Sequence, residues 1–157
     1  MISAALLIIH GLASIVLIGA ITHQAIMVWP AKHAEQPQAF FTRLRSLPQP
    51  SIYANTVVIL YAANFFLGAF LYTSYRVDVR PYLEDTGLFL AAGAFETKEH
   101  IAVLGLGLLP AYWLFWKEPS RAGSVTARSY ITLLLAFFVW WNFIIGHVLN
   151  NIRGLGL

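Results

Sequence analysis

Three of the five histidines lie at similar depths in three long apolar segments of the chain. His10 lies about two helical turns inside the start of the first segment, His100 just inside the start of the third, and His147 about one turn before the end of the fourth. Ionisable side chains inside membrane spans are costly and usually functional. Neutral imidazole is a common axial ligand of haem iron, so two of these histidines could hold a haem b between them. Hydrogen bonding near a membrane interface is the other role open to each of them.

The residues around these histidines offer partners for a haem and one alternative metal site. Arg80, Lys98 and Arg153 are expected near the same end of the molecule, where each could pair with a haem propionate. Glu96 and His100 are four residues apart and therefore share a helix face. A carboxylate and an imidazole at that spacing could instead bind a non-haem zinc, iron or copper ion.

Composition indicates which elements must position these residues. Of the 157 residues, 59% are hydrophobic and only 11% are charged, whereas soluble domains carry roughly 25% charged residues. Four segments reach the roughly 20 apolar residues that a bilayer requires, at about residues 2–29, 52–75, 97–116 and 129–150. The sequence therefore predicts an all-α protein: a single domain, 1–157, forming an integral membrane antiparallel four-helix bundle. The region between Arg76 and Glu96 is interpreted as a connection whose apolar middle lies on the interface or caps the bundle.

The distribution of charge predicts an orientation in the membrane. The connections at 30–50 and 117–128 are rich in Lys and Arg, whereas the opposite side has a slight excess of acidic residues. The positive-inside rule places the basic connections in the cytoplasm and both termini on the outer side. In a bacterium this corresponds to the inner membrane with both termini in the periplasm.

Other sites are excluded or disfavoured. Cysteine is absent, which excludes disulfides, iron–sulfur clusters and thiolate metal sites. His23 has no second histidine at its depth within a span, and His33 belongs to a basic connection. An inner haem held by two histidines is therefore not expected.

Two stretches resemble a known group of small bacterial membrane proteins. These are "LLIIHGLASIVLIGAITHQAIMVWPAKHAEQ" at the start of the chain and "TKEHIAVLGLGLLPAYW" further on. The group includes the membrane protoporphyrinogen oxidase of the Hem-J type and the copper-resistance protein D type. The resemblance implies a four-helix membrane protein in which His10 matches a first-helix histidine linked to haem b. The oxidase type tends to carry a further histidine late in its third helix, where this chain has Ala111, Tyr112 and Trp113.

The leading hypothesis is a membrane b-type haem protein in electron transfer, acting as a small subunit of a larger redox complex. His10 and either His100 or His147 would be the axial ligands. Its expected partners are membrane lipid, other membrane redox subunits, and a quinone or a periplasmic electron carrier, with no nucleic acid. The alternatives are a protoporphyrinogen-oxidase-like haem enzyme and a haem-free structural accessory subunit. No catalytic residue is assigned from the sequence.

Overall fold

The chain is helical throughout the part that its structure, a computed structural model, describes. The backbone is described at 2–29, 50–118 and 124–155, and the side chains at 4–29, 52–118 and 125–152. The helices are α1 (Ile2–Val28), α2 (Pro50–Ser74), α3 (Arg80–Asp85), α4 (Phe89–Lys117) and α5 (Ser124–Leu155). A five-residue π-helical segment, Tyr75–Val79, joins α2 to α3. These residues contain no strand, which confirms the predicted all-α fold.

Four segments among the described residues are long and apolar enough to cross a membrane. They are Ala4–Val28, Ile52–Asp85, Phe89–Lys117 and Val125–Ile152. Their outward surfaces are apolar too, since Ile8, Leu12 and Ile15 on α1 are 63%, 60% and 58% exposed. Large apolar side chains exposed along whole helices are typical of surfaces that face lipid. The protein is therefore an integral membrane protein that contacts lipid. The basic connection at 30–49, which includes His33, and residues 119–123 lie outside the described residues.

The four long helices form a closed ring in the order α1, α2, α4, α5. His23 near the end of α1 stacks on Tyr53 near the start of α2, with ring centroids 4.5 Å apart. Gly68 near the end of α2 lies against the His10 ring. These contacts make α1 and α2 antiparallel. We call the end of the bundle where α1 begins and α5 ends the terminal end, and the opposite end the far end.

The connection between α2 and α4 is more ordered than the sequence predicted. The π-helical segment ends where the Arg80 amide donates to the Tyr75 carbonyl. The helix α3 ends at Asp85, and Gly87, two residues further on, has a φ of 74°. Glycine adopts that left-handed conformation without steric cost, so it is suited to ending a helix. The apolar stretch for which the sequence suggests a place on the interface or a cap on the bundle forms the first turns of α4, which begins at Phe89 rather than near Thr97.

The far half of the bundle is tightly packed. Ile21, Val57, Tyr112 and Leu135, one from each long helix, are all fully buried. Two pairs of polar groups join helices here: the Tyr112 hydroxyl donates to Gln24 Oε1, and Trp116 Nε1 donates to Thr132 Oγ1 over 3.0 Å. Such pairs hold membrane helices together because an unpaired polar group in an apolar interior is costly.

One contact at mid-height fixes the distance between α2 and α4. Gly105 is buried, and a methyl group added to it would overlap the hydroxyl and ring of Tyr61. The Tyr61 hydroxyl donates to the Ala102 carbonyl over 3.0 Å. Tyr61 therefore lies across α4 in a space that is open because residue 105 has no side chain.

Gly105→Ala is expected to destabilise the bundle because the added methyl and the Tyr61 ring cannot occupy the same space. Overpacking of this kind typically costs about 1–3 kcal/mol. Gly107→Ala is the matched control, since nothing lies within 4 Å of a Cβ there. Thermal unfolding in detergent should show a lower midpoint for the first variant alone. Equal midpoints for the two variants would contradict the contact.

Candidate cofactor site

A cavity of about 500 Å³ lies between the four long helices in the terminal half. Its lining on α1 runs from Ala4 to Ile18, a length of roughly 20 Å along the helix axis. All the exposed lining residues are at the terminal end: Ala4, Leu7, Ser74, His147 and Asn150. The cavity therefore opens at that end.

The floor of the cavity is formed at the level of the Tyr61–Gly105 contact. Leu17, Tyr61 and Val139 line the cavity and are each 5% exposed. They also belong to the packed core of the far half. The hollow part of the bundle therefore ends where the packed part begins.

His10 lines the cavity from α1. Its Nδ1 atom is buried and has no hydrogen-bond partner among the described residues. Gly68 on α2 faces the ring and has no side chain. A Cβ added there would lie 3.7 Å from His10 Cε1, at ordinary van der Waals distance. A buried imidazole nitrogen without a protein partner is available to pair with a bound molecule.

His147 lines the same cavity from α5, close to its mouth. Its ring is parallel to that of Phe143, at an interplanar angle of 6° and a centroid distance of 6.1 Å. The side chain is exposed, in contrast to the half-buried His10. The structure thus brings two of the three predicted histidines to one cavity, from α1 and α5.

His100 does not reach the cavity. It is exposed, and its Nδ1 lies 2.7 Å from the Glu96 carbonyl of its own helix. The face of α4 that lines the cavity instead carries Phe95, Lys98, Glu99 and Ala102. These four recur at the three- and four-residue spacing of one helix face, from which the His100 side chain points away.

The alternative metal site at Glu96 has no supporting cluster. Glu96 pairs with Arg80, whose Nη1 lies 2.6 Å from the carboxylate. Within the described part of the chain, no group of three or more histidine and acidic side chains is arranged to hold a metal ion.

The three predicted propionate partners differ in position. Lys98 lines the cavity, with its Nζ 2.5 Å from Glu99 Oε1 and 4.5 Å from the centre of the Phe95 ring. Arg80 is outside the lining and is paired with Glu84 and Glu96. The side chain of Arg153 lies outside the described residues.

Further polar residues that were not predicted line the cavity, among them Ser14, Asn64, Tyr75 and Asn142. Asn64 is 7% exposed and Tyr75 is 7% exposed. Asn64 Nδ2 and the Tyr75 hydroxyl are both buried without a hydrogen-bond partner in the described residues. The sequence did contain a signal for Asn64, because it is a lone amide in the middle of an apolar span.

An aromatic cluster forms one wall at the terminal end. Tyr75 and Phe95 stack with ring centroids 3.5 Å apart and an interplanar angle of 7°, and Tyr72 packs beside both.

No protein-family model, curated protein or solved structure matches this chain. A deep, largely apolar cavity with a few polar groups has the form of a small-molecule or cofactor site.

Because the chain has no cysteine, the opening of the cavity can be tested by introducing single cysteines. Asn150→Cys and Ser74→Cys, at the mouth, should react with a bulky membrane-impermeant maleimide. Ser14→Cys, deeper in the cavity, should react only with a small methanethiosulfonate. Thr132→Cys is the control, because Thr132 is fully buried in the far half and should react with neither.

The extent of modification can be read by mass spectrometry of the folded protein. A Ser14→Cys variant as inert as Thr132→Cys would contradict a cavity that reaches this depth.

Proposed function

We propose that this protein is a membrane haem b protein that transfers electrons, in which His10 and His147 would hold the haem iron. The observation that carries the proposal is that these two histidines, from α1 and α5, line one cavity. The sequence left His100 and His147 as alternatives for the second ligand. His147 is favoured because it lines the cavity, whereas His100 does not and its Nδ1 faces the Glu96 carbonyl of its own helix.

The chemical types of the residues that line the cavity suit a haem. Neutral imidazole is an established axial ligand, and haem bound in this way supplies reversible one-electron chemistry. The cavity volume of about 500 Å³ falls within the roughly 300–1,000 Å³ of ordinary ligand sites. Three glycines, Gly11, Gly68 and Gly146, line the cavity and leave its walls free of side chains at those points.

Lys98 is the best candidate to pair with a haem carboxylate. Its ammonium is held against Glu99 and over the Phe95 ring, at the edge of the cavity. Its side chain is 14% exposed, so its charge is only weakly screened by solvent. A second carboxylate near Lys98 would compete with Glu99 for the same ammonium. Arg80, which is already paired with two carboxylates, supports the outer wall instead.

The proposed setting is a bacterial inner membrane with both termini on the periplasmic side. The opening of the cavity at the terminal end supports electron exchange there, with a redox subunit, a quinone or a periplasmic carrier. Lipid-facing surfaces on all four spans leave room for partner helices of a larger complex.

A protoporphyrinogen-oxidase-like enzyme is the second candidate. It is favoured by His10, which carries the resemblance to that family and also lines the cavity. Accumulation of porphyrin precursors after loss of the gene would favour the enzyme over an electron-transfer subunit.

Replacing either cavity histidine should remove or alter the haem. His10→Ala and His147→Ala are each expected to lose most of the bound haem, or to shift its reduced-minus-oxidised spectrum, because one axial ligand is gone. His100→Ala is the matched control and should keep the wild-type spectrum. Haem per chain is measured by the pyridine haemochrome assay on monodisperse protein purified in mild detergent.

Two outcomes would count against the proposal. If His10→Ala kept both the haem content and the spectrum of the wild type, His10 would not be a ligand. Wild-type protein purified intact and colourless with its native partners would leave the haem-free structural subunit as the interpretation.

A further inference from the structure

Arg128, in the second turn of α5 at the far end of the bundle, has no counter-ion among the described residues. Its guanidinium carbon lies 5.2 Å from the centre of the Trp116 ring on α4. Its Nε atom is buried and has no hydrogen-bond partner in the described part of the chain. A cation that is partly withdrawn from water and not paired with an anion is unfavourable. An anion from outside the chain would compensate it.

Trp116 determines where the guanidinium lies. This side chain is 5% exposed, and its Nε1 donates to Thr132 Oγ1 over 3.0 Å, so the ring is held between α4 and α5. A guanidinium that lies over a fixed aromatic ring is itself oriented. Arg128 as a whole is only half-buried, so a ligand can reach the guanidinium from the end of the bundle.

The charge around Arg128 also favours an anion. The described residues of the far end contain two cations, Lys117 and Arg128, and one carboxylate, Glu118. Glu118 is exposed and forms no ion pair with a described residue, since the ion pairs found there all involve Arg80 or Lys98 at the terminal end. The far end therefore carries positive charge that is not neutralised internally.

The position of Arg128 is that of lipid head groups. Ser129 Oγ lies 3.5 Å from the carbonyl of Val28, the last residue of α1. Trp29, the next residue, is 63% exposed, and exposed tryptophans at span ends are typical of the membrane–water interface. Basic sites between the ends of membrane helices bind lipid head groups.

We propose that Arg128 binds a phosphate group at the far end of the bundle. An anionic phospholipid is the source that its position in the membrane favours, and dissolved phosphate is the other source of the same group. A guanidinium can hold two phosphate oxygens in parallel, which an ammonium cannot do. The site is separate from the cofactor cavity, which opens at the opposite end.

The test is a titration of the full chain in mild detergent, followed by native mass spectrometry. The probes are dioleoyl-phosphatidylglycerol, dioleoylglycerol, which has the same acyl chains without a phosphate, and inorganic phosphate. The mass of the adduct identifies the ligand and so distinguishes lipid from dissolved phosphate. Wild-type protein should bind phosphatidylglycerol roughly tenfold more tightly than dioleoylglycerol, because only the former offers a charged acceptor to the guanidinium.

Arg128→Met should weaken the binding of phosphatidylglycerol roughly tenfold, because the charged donor is gone. Arg128→Lys keeps the charge and should lose less, since an ammonium contacts a phosphate without the paired geometry. The matched control is Arg76→Met, the same replacement at an exposed arginine of the terminal end. It should keep the wild-type affinity.

Three affinities for phosphatidylglycerol that are the same in wild type, Arg128→Met and Arg76→Met would overturn the inference. Equal losses in the two methionine variants would show a general effect of charge and would also overturn it. Binding of inorganic phosphate that Arg128→Met abolishes, with no difference between the two lipids, would support the phosphate site and identify dissolved phosphate as its source. If Arg128→Met is not monodisperse, comparing Arg128→Lys with Arg76→Lys decides in the same way.

Discussion

The position of Tyr61 across Gly105 determines how the interior of this bundle is divided. The ring occupies the space of the missing side chain, and its hydroxyl is held by the Ala102 carbonyl. On the far side of this contact the four helices are close enough to bury Ile21 and Leu135 completely. On the terminal side they enclose a cavity instead. A rigid half thus supports a hollow half, which is the arrangement that a preorganised binding site needs.

The two halves also differ in how their polar groups are satisfied. In the far half, indole and phenol groups donate to side-chain oxygens on neighbouring helices, as Trp116 does to Thr132. In the terminal half, His10, Asn64 and Tyr75 each have a buried polar atom without a partner in the described residues. Native proteins leave few such atoms unpaired. The proposed ligand would supply partners for these three atoms around one cavity.

The helices and the depth of the histidines could be predicted from the sequence, whereas the directions in which the histidine side chains point could not. Apolar length alone identifies four spans, and counting residues from each span end places His10, His100 and His147 at one level. Depth says nothing about rotation, and each residue turns an α-helix by about 100°. His100 therefore faces outward while its neighbours Lys98 and Glu99 line the cavity.

The π-helical segment at the end of α2 makes the chain sensitive to its exact length at this point. A π-helical turn contains about one residue more than an α-helical turn, so everything after Val79 is offset in phase by roughly 100° from a continuous α-helix. With that offset, Arg80 on α3 reaches Glu96 on α4. Removing or adding one residue between Tyr75 and Val79 would rotate α3 as a unit and separate these two charges, while the Arg80–Glu84 pair within α3 would be kept. A change in length that a surface loop would tolerate therefore changes the rotation of α3 about its axis here.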